Sequence, residues 1–252
     1  QDKITTSLHT SNRWLSPLVW VDPKNHSIND LRSLLKTGRY SGLKFHPVVD
    51  NYLIDDPLMD PFMSLAAELH LAIQIHSATD ENAKTSRIVN LAKKYPTVKI
   101  VMIHTELGSL DKSQVLKQIV SVPNIYAETS WTNPESILQI IDTLDSSRTL
   151  FGTDATVDGY DHFTKQSTAN PGGQYVYTIP QIMAQVQAKA NAGAFENWSH
   201  LTALRLFPVR FRPDADLFDT DGDGTPDLKD NDPDQDGFES SNDTFPLDPG
   251  AH

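Results

Sequence analysis

Short runs of apolar and β-branched residues recur at positions 18–21, 43–45, 72–75, 99–103, 125–127 and 150–151. Between them, apolar residues return at the three- and four-residue spacing of a helix with one buried face. Ser27 and Asp30 open the first such helix in the manner of a capping box. Leu31, Leu34 and Leu35 share its inner face, and Gly38 can end it. Asp60 and Pro61 open the second, with Phe62, Leu65, Ala66 and Leu69 on one side. Ile88, Leu91 and Ala92 mark a third, stopped at Pro96; Val115, Leu116, Ile119 and Val120 mark a fourth; Ile137, Leu138, Ile140 and Ile141 mark a fifth. Strands alternating with amphipathic helices predict βα units and a parallel sheet.

Polar residues close these strands: His46, His76, His104, Glu128 and Asp154, separated by 30, 28, 24 and 26 residues, one βα unit each. In a barrel of such units the C-terminal strand ends surround one mouth, so residues far apart in sequence converge there. Two histidines and an aspartate at one mouth make a ligand set for zinc or a similar ion. A single strand-end histidine is more often a hydrogen-bonded structural residue, so the site reading rests on the shared register of His76, His104 and Asp154. Lys44 and Glu128 have an equally good reading as an ion pair across the mouth. His9, His26, His70 and His200 fall on loops or helical faces and carry no chemistry.

The segments GLKFHP (42–47), IQIH (73–76), VMIH (101–104) and LFGTD (150–154) resemble the amidohydrolase superfamily. They are most similar to its amidohydrolase-related branch, which includes the aminocarboxymuconate-semialdehyde decarboxylases. The stretch WSHLTALRLF (198–207) resembles that branch's last helix, and the likeness covers residues 13–210. It implies a (β/α)8 TIM barrel of the metal-dependent hydrolase type, loaded with zinc or manganese. By position, His76 is implied as the fifth-strand metal ligand. His104 is implied as the sixth-strand histidine, which ligates the metal or polarises the substrate. Asp154 is implied as the eighth-strand aspartate, which touches the metal and shuttles a proton. Such a set activates water against a carbonyl-like carbon, with Asp154 as base and then acid. The expected substrate is a small organic molecule with a hydrolysable C–O or C–N bond: an ester, a lactone or an amide. Lys44, His46, Glu128, Trp131 and His162 are the candidate substrate contacts, and Asp158, Tyr160 and Asp161 share the mouth loop with His162. Non-oxidative decarboxylation is the alternative within the same branch.

One departure stands out. The family's first strand carries a His-x-His pair, and no such pair occurs in this chain. Six strands are counted where a closed barrel needs eight. With the first residue Gln1 rather than Met, the expectation is an N-terminally incomplete barrel over residues 1–213, lacking two units of roughly 30 residues each. A degenerate barrel without catalysis is the other reading.

Charge divides the chain at the same place. The formal net charge is −12, and residues 214–252 hold thirteen acids against Lys229, so 1–213 are neutral with twenty of each sign. A polyanionic tail makes nucleic acid and anionic membrane poor partners. The absence of cysteine excludes disulfides and thiolate metal sites. No apolar run approaches the roughly 20 residues of a membrane span. Within the tail, Asp219, Asp221 and Asp223 alternate before Gly224, and Asp232, Asp234 and Asp236 before Gly237, with Asp227, Asp230 and Asp243 around them. Alternate carboxylates of an extended loop can wrap a calcium ion, which takes six to eight oxygens. The segment resembles thrombospondin type 3 repeats, down to the closing TFPLDP (244–249), and it lacks the twelfth-position Glu of an EF-hand. The expectation is a small, irregular, calcium-dependent domain over 214–252. Weak modules of this kind fill where calcium is about millimolar. That places the protein outside the cytosol: secreted, periplasmic or at the cell surface, with surface or matrix attachment through the tail. A calcium-dependent surface binding module is the non-enzyme alternative.

Overall fold

The computed structural model describes residues 16–38, 40–109, 111–154 and 178–207. The chain divides into two units, Gln1–Val209 and Arg210–His252, and all described residues belong to the first. Six strands form one sheet in sequence order: β1 (Leu18–Val21), β2 (Gly42–Phe45), β3 (Ala72–Ala78), β4 (Ile100–Leu107), β5 (Ile125–Glu128) and β6 (Thr149–Leu150). Every neighbouring pair is parallel. Helices Ile28–Leu35, Asp60–Glu68, Thr85–Lys94, Ser113–Ile119 and Pro134–Leu144 return the chain between strands. The architecture is that of a (β/α) barrel, of which six strands are present among the described residues.

The strands are buried on both faces, as helix-covered parallel strands must be. Val19, Leu43, Phe45, Ile73, Ile75, Ile100, Met102, Ile125 and Ala127 point outward into the main core shared with the helices. Ala72, Val101, Ile103 and Leu150 point inward, where Leu206 and Phe207 of the final helix pack against them. That final segment runs Ile179–Lys189, Ala192–Glu196, a π-helical turn Asn197–Leu201, and Thr202–Leu206. Helix Ile179–Lys189, opened by a Thr178–Gln181 capping box, adds to the elements predicted above. Expected and observed strands agree closely, except that β3 and β4 run on to Ala78 and Leu107. His76 and His104 therefore lie inside strands rather than at their close.

The end of the barrel away from the mouth is tied by two polar side chains, the half-buried Arg148 and the buried Asn124. Arg148 donates to the carbonyls of Ile119, Val120, Val122 and Ile125 at 2.8–3.1 Å. Asn124 Nδ2 donates to those of Ala92, Tyr95 and Val98 at 3.0–3.1 Å. The carbonyls of Ala92, Tyr95, Ile119 and Val120 belong to the last turns and caps of two helices, which lack intrahelical partners. Among the described residues no helix is long and apolar enough to cross a membrane.

Candidate active site

Alternation along the strands decides which side chains enter the barrel. Trp20 pairs with Lys44 and Lys44 with Gln74 across β1, β2 and β3, all on the inward-facing register with Ala72. Above them the histidines meet. The rings of His46 and His76 stack at 3.9 Å, nearly parallel at 13°. Trp20 stacks against His46 at 5.4 Å, and its Nε1 donates to Asp50 at 3.1 Å. The His104 ring stands edge-on to His76 at 5.0 Å. His104 Nε2 lies 4.0 Å from Asp154 Oδ2, which also accepts a hydrogen bond from Trp131 Nε1 at 2.9 Å. Lys44 acts electrostatically on both Glu128 and Asp154. His46, His76, His104, Glu128, Asp154, Lys44 and Trp131 thus share one mouth. His162 lies outside the described residues, as do the nine tail aspartates from Asp219 to Asp243.

His104 reaches the mouth against the strand's alternation. Val101 and Ile103 face inward, so a regular strand would send residue 104 toward the helices. Instead His104, Thr105 and Glu106 take φ values of 66°, 45° and 66°, a left-handed turn that side chains with a Cβ rarely adopt. Lys112 holds it. Its buried Nζ donates to the carbonyls of His104, Thr105 and Glu106 at 3.2, 2.9 and 3.0 Å. From the same turn, Glu106 accepts from the Thr85 amide and hydroxyl, anchoring the start of helix Thr85–Lys94. Trp131 and Asp154 also have positive φ, 60° and 51°. Non-glycine residues in this region cluster at functional sites. Glu128 enters the interior because Gly152 offers no side chain: a Cβ there would sit 1.8 Å from Oε1.

Burial sets the charges. It pushes the His76 imidazole down to about 2, assisted by His46, His104 and Lys44. It pushes His104 down to about 3, with Lys44 and Lys112 adding to the effect. His46 is lowered by burial and by Lys44. Burial lowers Lys44 to about 8 against the pull of Glu128 and Asp154. It raises Glu128, while the donors of His104 and Ser130 and the Lys44 cation work the other way. The imidazoles are therefore neutral, the form that can ligate a metal or take a proton. A depressed histidine pKa favours folding fully above the unfolded value near 6.5 and progressively less as pH falls toward the folded value. Metal-free protein should accordingly lose roughly 2–4 kcal/mol between pH 6.5 and 5, at about 1.4 kcal/mol per pH unit for each excluded proton. Denaturant titrations at the two pH values measure it, and a flat profile would mean the rings protonate in place.

In kind, two neutral imidazoles and a carboxylate suit a divalent ion. In arrangement, no three of the described His, Asp or Glu side chains form a group that could hold one as they stand. Remaining donors would have to come from outside the described residues, and the His76 ring would have to turn off its stack with His46. Two residues that sequence reasoning missed are Ser130 and Lys112. Ser130 Oγ lies 2.7 Å from both His104 Nδ1 and Glu128 Oε2. Its position two residues beyond Glu128 was its one signal; Lys112 had none.

The family model described as Amidohydrolase matches residues 3–209. No curated protein matches the chain. Among solved structures, an uncharacterised TIM-barrel protein from Bordetella bronchiseptica is similar, with TM-score 0.60 and 13% identity, covering 83% of this chain and 72% of that one. A manganese-bound 5-carboxyvanillate decarboxylase from Novosphingobium aromaticivorans has TM-score 0.59 and 13% identity, covering 82% and 68%. A candidate 2-pyrone-4,6-dicarboxylic acid hydrolase from Pseudomonas putida has TM-score 0.56 and 12% identity, covering 84% and 78%. At such identities the likeness is one of fold.

Proposed function

Since the chain belongs to the amidohydrolase family, we propose that it is a metal-dependent hydrolase of C–O or C–N bonds in a small organic substrate. The observation that carries this is the convergence of neutral His76 and His104 with Asp154 at one mouth. His76, His104 and Asp154 would hold zinc or manganese together with donors outside the described residues. When bound, a divalent ion would supply Lewis acidity toward water and a substrate carbonyl. Asp154 serves as the proton carrier. Its Oδ2 is engaged by Trp131, while Oδ1 accepts no hydrogen bond among the described residues, and the side chain is one-third exposed to the mouth. Oδ1 takes a proton from the attacking water and returns it to the leaving group. The Trp131 contact keeps the carboxylate turned toward His104. Lys44, His46 and Glu128 line the floor beneath the substrate.

Calorimetric titration with manganese and zinc, followed by rate assays on lactones, esters, amides and aromatic carboxylates, tests the reading. Metal-dependent ring opening or ester cleavage supports it, and carbon dioxide release would replace it with the decarboxylase alternative. If His76→Ala and Asp154→Ala bind metal as tightly as the unmodified chain, the proposed site is wrong.

The tail reading is a separate proposal: residues 214–252 bind calcium through Asp219, Asp221, Asp223, Asp227, Asp230, Asp232, Asp234, Asp236 and Asp243. What supports it is the strict alternation of carboxylates with placed glycines. It also carries the proposal that the protein works outside the cytosol, attached or spaced through this segment. Chelating calcium should abolish amide protection over 214–249 and leave that of the strands unchanged. Protection that is equal with and without calcium would remove calcium from the account.

A further inference from the structure

The strand that leads to Asp154 is short and open on one side. Among the described residues β6 pairs only with β5, and Asp154 lies beyond its end. Successive peptide groups of a strand point to opposite sides. The Leu150 carbonyl accepts the Thr129 N–H at 3.0 Å on the β5 side. The Phe151 N–H therefore faces the open side, where a barrel would place its next strand.

The final helical segment supplies the partner that such a strand would give. At the π-helical turn Asn197–Leu201, the Thr202 N–H donates to the Asn197 carbonyl. In an α-helix it would donate to that of Trp198. The Trp198 carbonyl is thereby freed for the Phe151 N–H, 2.7 Å away. The Trp198 side chain is fully buried, and its Nε1 donates to Thr129 Oγ1 at 2.9 Å, just past β5. Its ring meets that of Phe151 edge-on at 5.3 Å. The same turn holds the residues before β6, since Asn197 Nδ2 and Thr202 Oγ1 donate to Ser146 at 3.0 and 3.3 Å. One residue thus fastens both backbones that meet at Asp154. Phe151 leads into Asp154, and Thr129 leads into Trp131, whose Nε1 donates to Asp154 Oδ2 at 2.9 Å.

We propose that Trp198 is a positioning residue for Asp154, and that the π-helical turn lets it act by releasing a carbonyl that replaces the missing ladder partner of β6. An unbroken α-helix could pack the same apolar side chains but would spend its interior carbonyls within itself, leaving the strand edge without an acceptor. The value of a fixed Asp154 to catalysis rests on the proposed metal-dependent function. The hold on β6 rests on these contacts alone.

The test uses the full chain and two variants. Deleting His200, an exposed residue of the turn, removes the extra residue and returns the helix to α-helical spacing, so that Thr202 competes for the Trp198 carbonyl. Hydrogen exchange should show the Phe151 amide protected in the unmodified chain and exchanging roughly tenfold faster in the deletion variant, with the amides of β2 and β3 unchanged. Trp198→Phe keeps the turn and loses the bond to Thr129. With 15N-tryptophan labelling, the four tryptophans give four indole signals. That of Trp131, assigned with Trp131→Phe, should move in both variants as its contact with Asp154 shifts, while that of Trp20 on β1 stays in place. Manganese affinity should fall roughly tenfold in both. A freely exchanging Phe151 amide in the unmodified chain would overturn the proposal, as would unchanged Phe151 exchange in a folded deletion variant. If that variant does not fold, an unmoved Trp131 signal in Trp198→Phe, or one that moves together with Trp20, overturns it. The stated shifts in a chain that binds no manganese would leave the positioning role standing and sink the metal-dependent function instead.

Discussion

Asp154→Asn should cut turnover by roughly a hundred- to ten-thousandfold with the metal site loaded, the range lost when a positioned general base is removed. The substitution keeps the shape of the side chain. Its carbonyl oxygen can still accept from Trp131 Nε1, now 2.9 Å from Oδ2, so the geometry beside His104 survives. What disappears is basicity: an amide nitrogen takes the place of Oδ1. Metal affinity should fall by less, because Asp154 is proposed as one ligand among several. The measurement is kcat at saturating manganese, beside a calorimetric Kd. Near-normal kcat in a loaded Asn variant would take the proton-carrying role away from Asp154.

The second large effect is on folding. Lys112→Met should lower stability by about 3–5 kcal/mol, the usual cost of removing one partner from a buried charged contact, because three charge-assisted hydrogen bonds are lost together while the burial of the ammonium is relieved. The side chain is 3% exposed, and its Nζ serves three carbonyls turned the same way by the left-handed residues His104, Thr105 and Glu106. Methionine fills the space but leaves those carbonyls without a donor. The turn should relax, and His104 should lose its place against Ser130. Urea unfolding measures the first effect and the His104 nitrogen shifts the second. A loss below about 1 kcal/mol, with unchanged shifts, would show that the turn holds itself.

Most of the fold was legible because burial is periodic. The run at 18–21 became β1 at both predicted ends, and Ser27 caps its helix by accepting from the Asp30 amide, as the capping pattern predicts. Strands β3 and β4 were read too short because their polar residues look like stop signals, yet His76 and His104 lie within them. Helix Ile179–Lys189 carries weaker apolar patterning, with Ile182 and Val186 as its buried residues, and so escaped notice.

The site divides along the same line. Sequence alone determined which βα units deliver His76, His104, Glu128 and Asp154, because one polar residue per unit near each strand's C-terminal end is a one-dimensional signal. It could not decide how the residues act on one another. The Ser130–His104 and Glu128–His104 contacts join residues 26 and 24 apart. Lys112 works only because three carbonyls are reversed by positive φ angles, which an apolar–polar pattern does not encode. Strand alternation even sends His104 to the wrong side. Tertiary structure decided its direction and the contact of its Nδ1 with Ser130, because a left-handed backbone turn and the neighbouring strand set these, and both act only once the strands lie side by side.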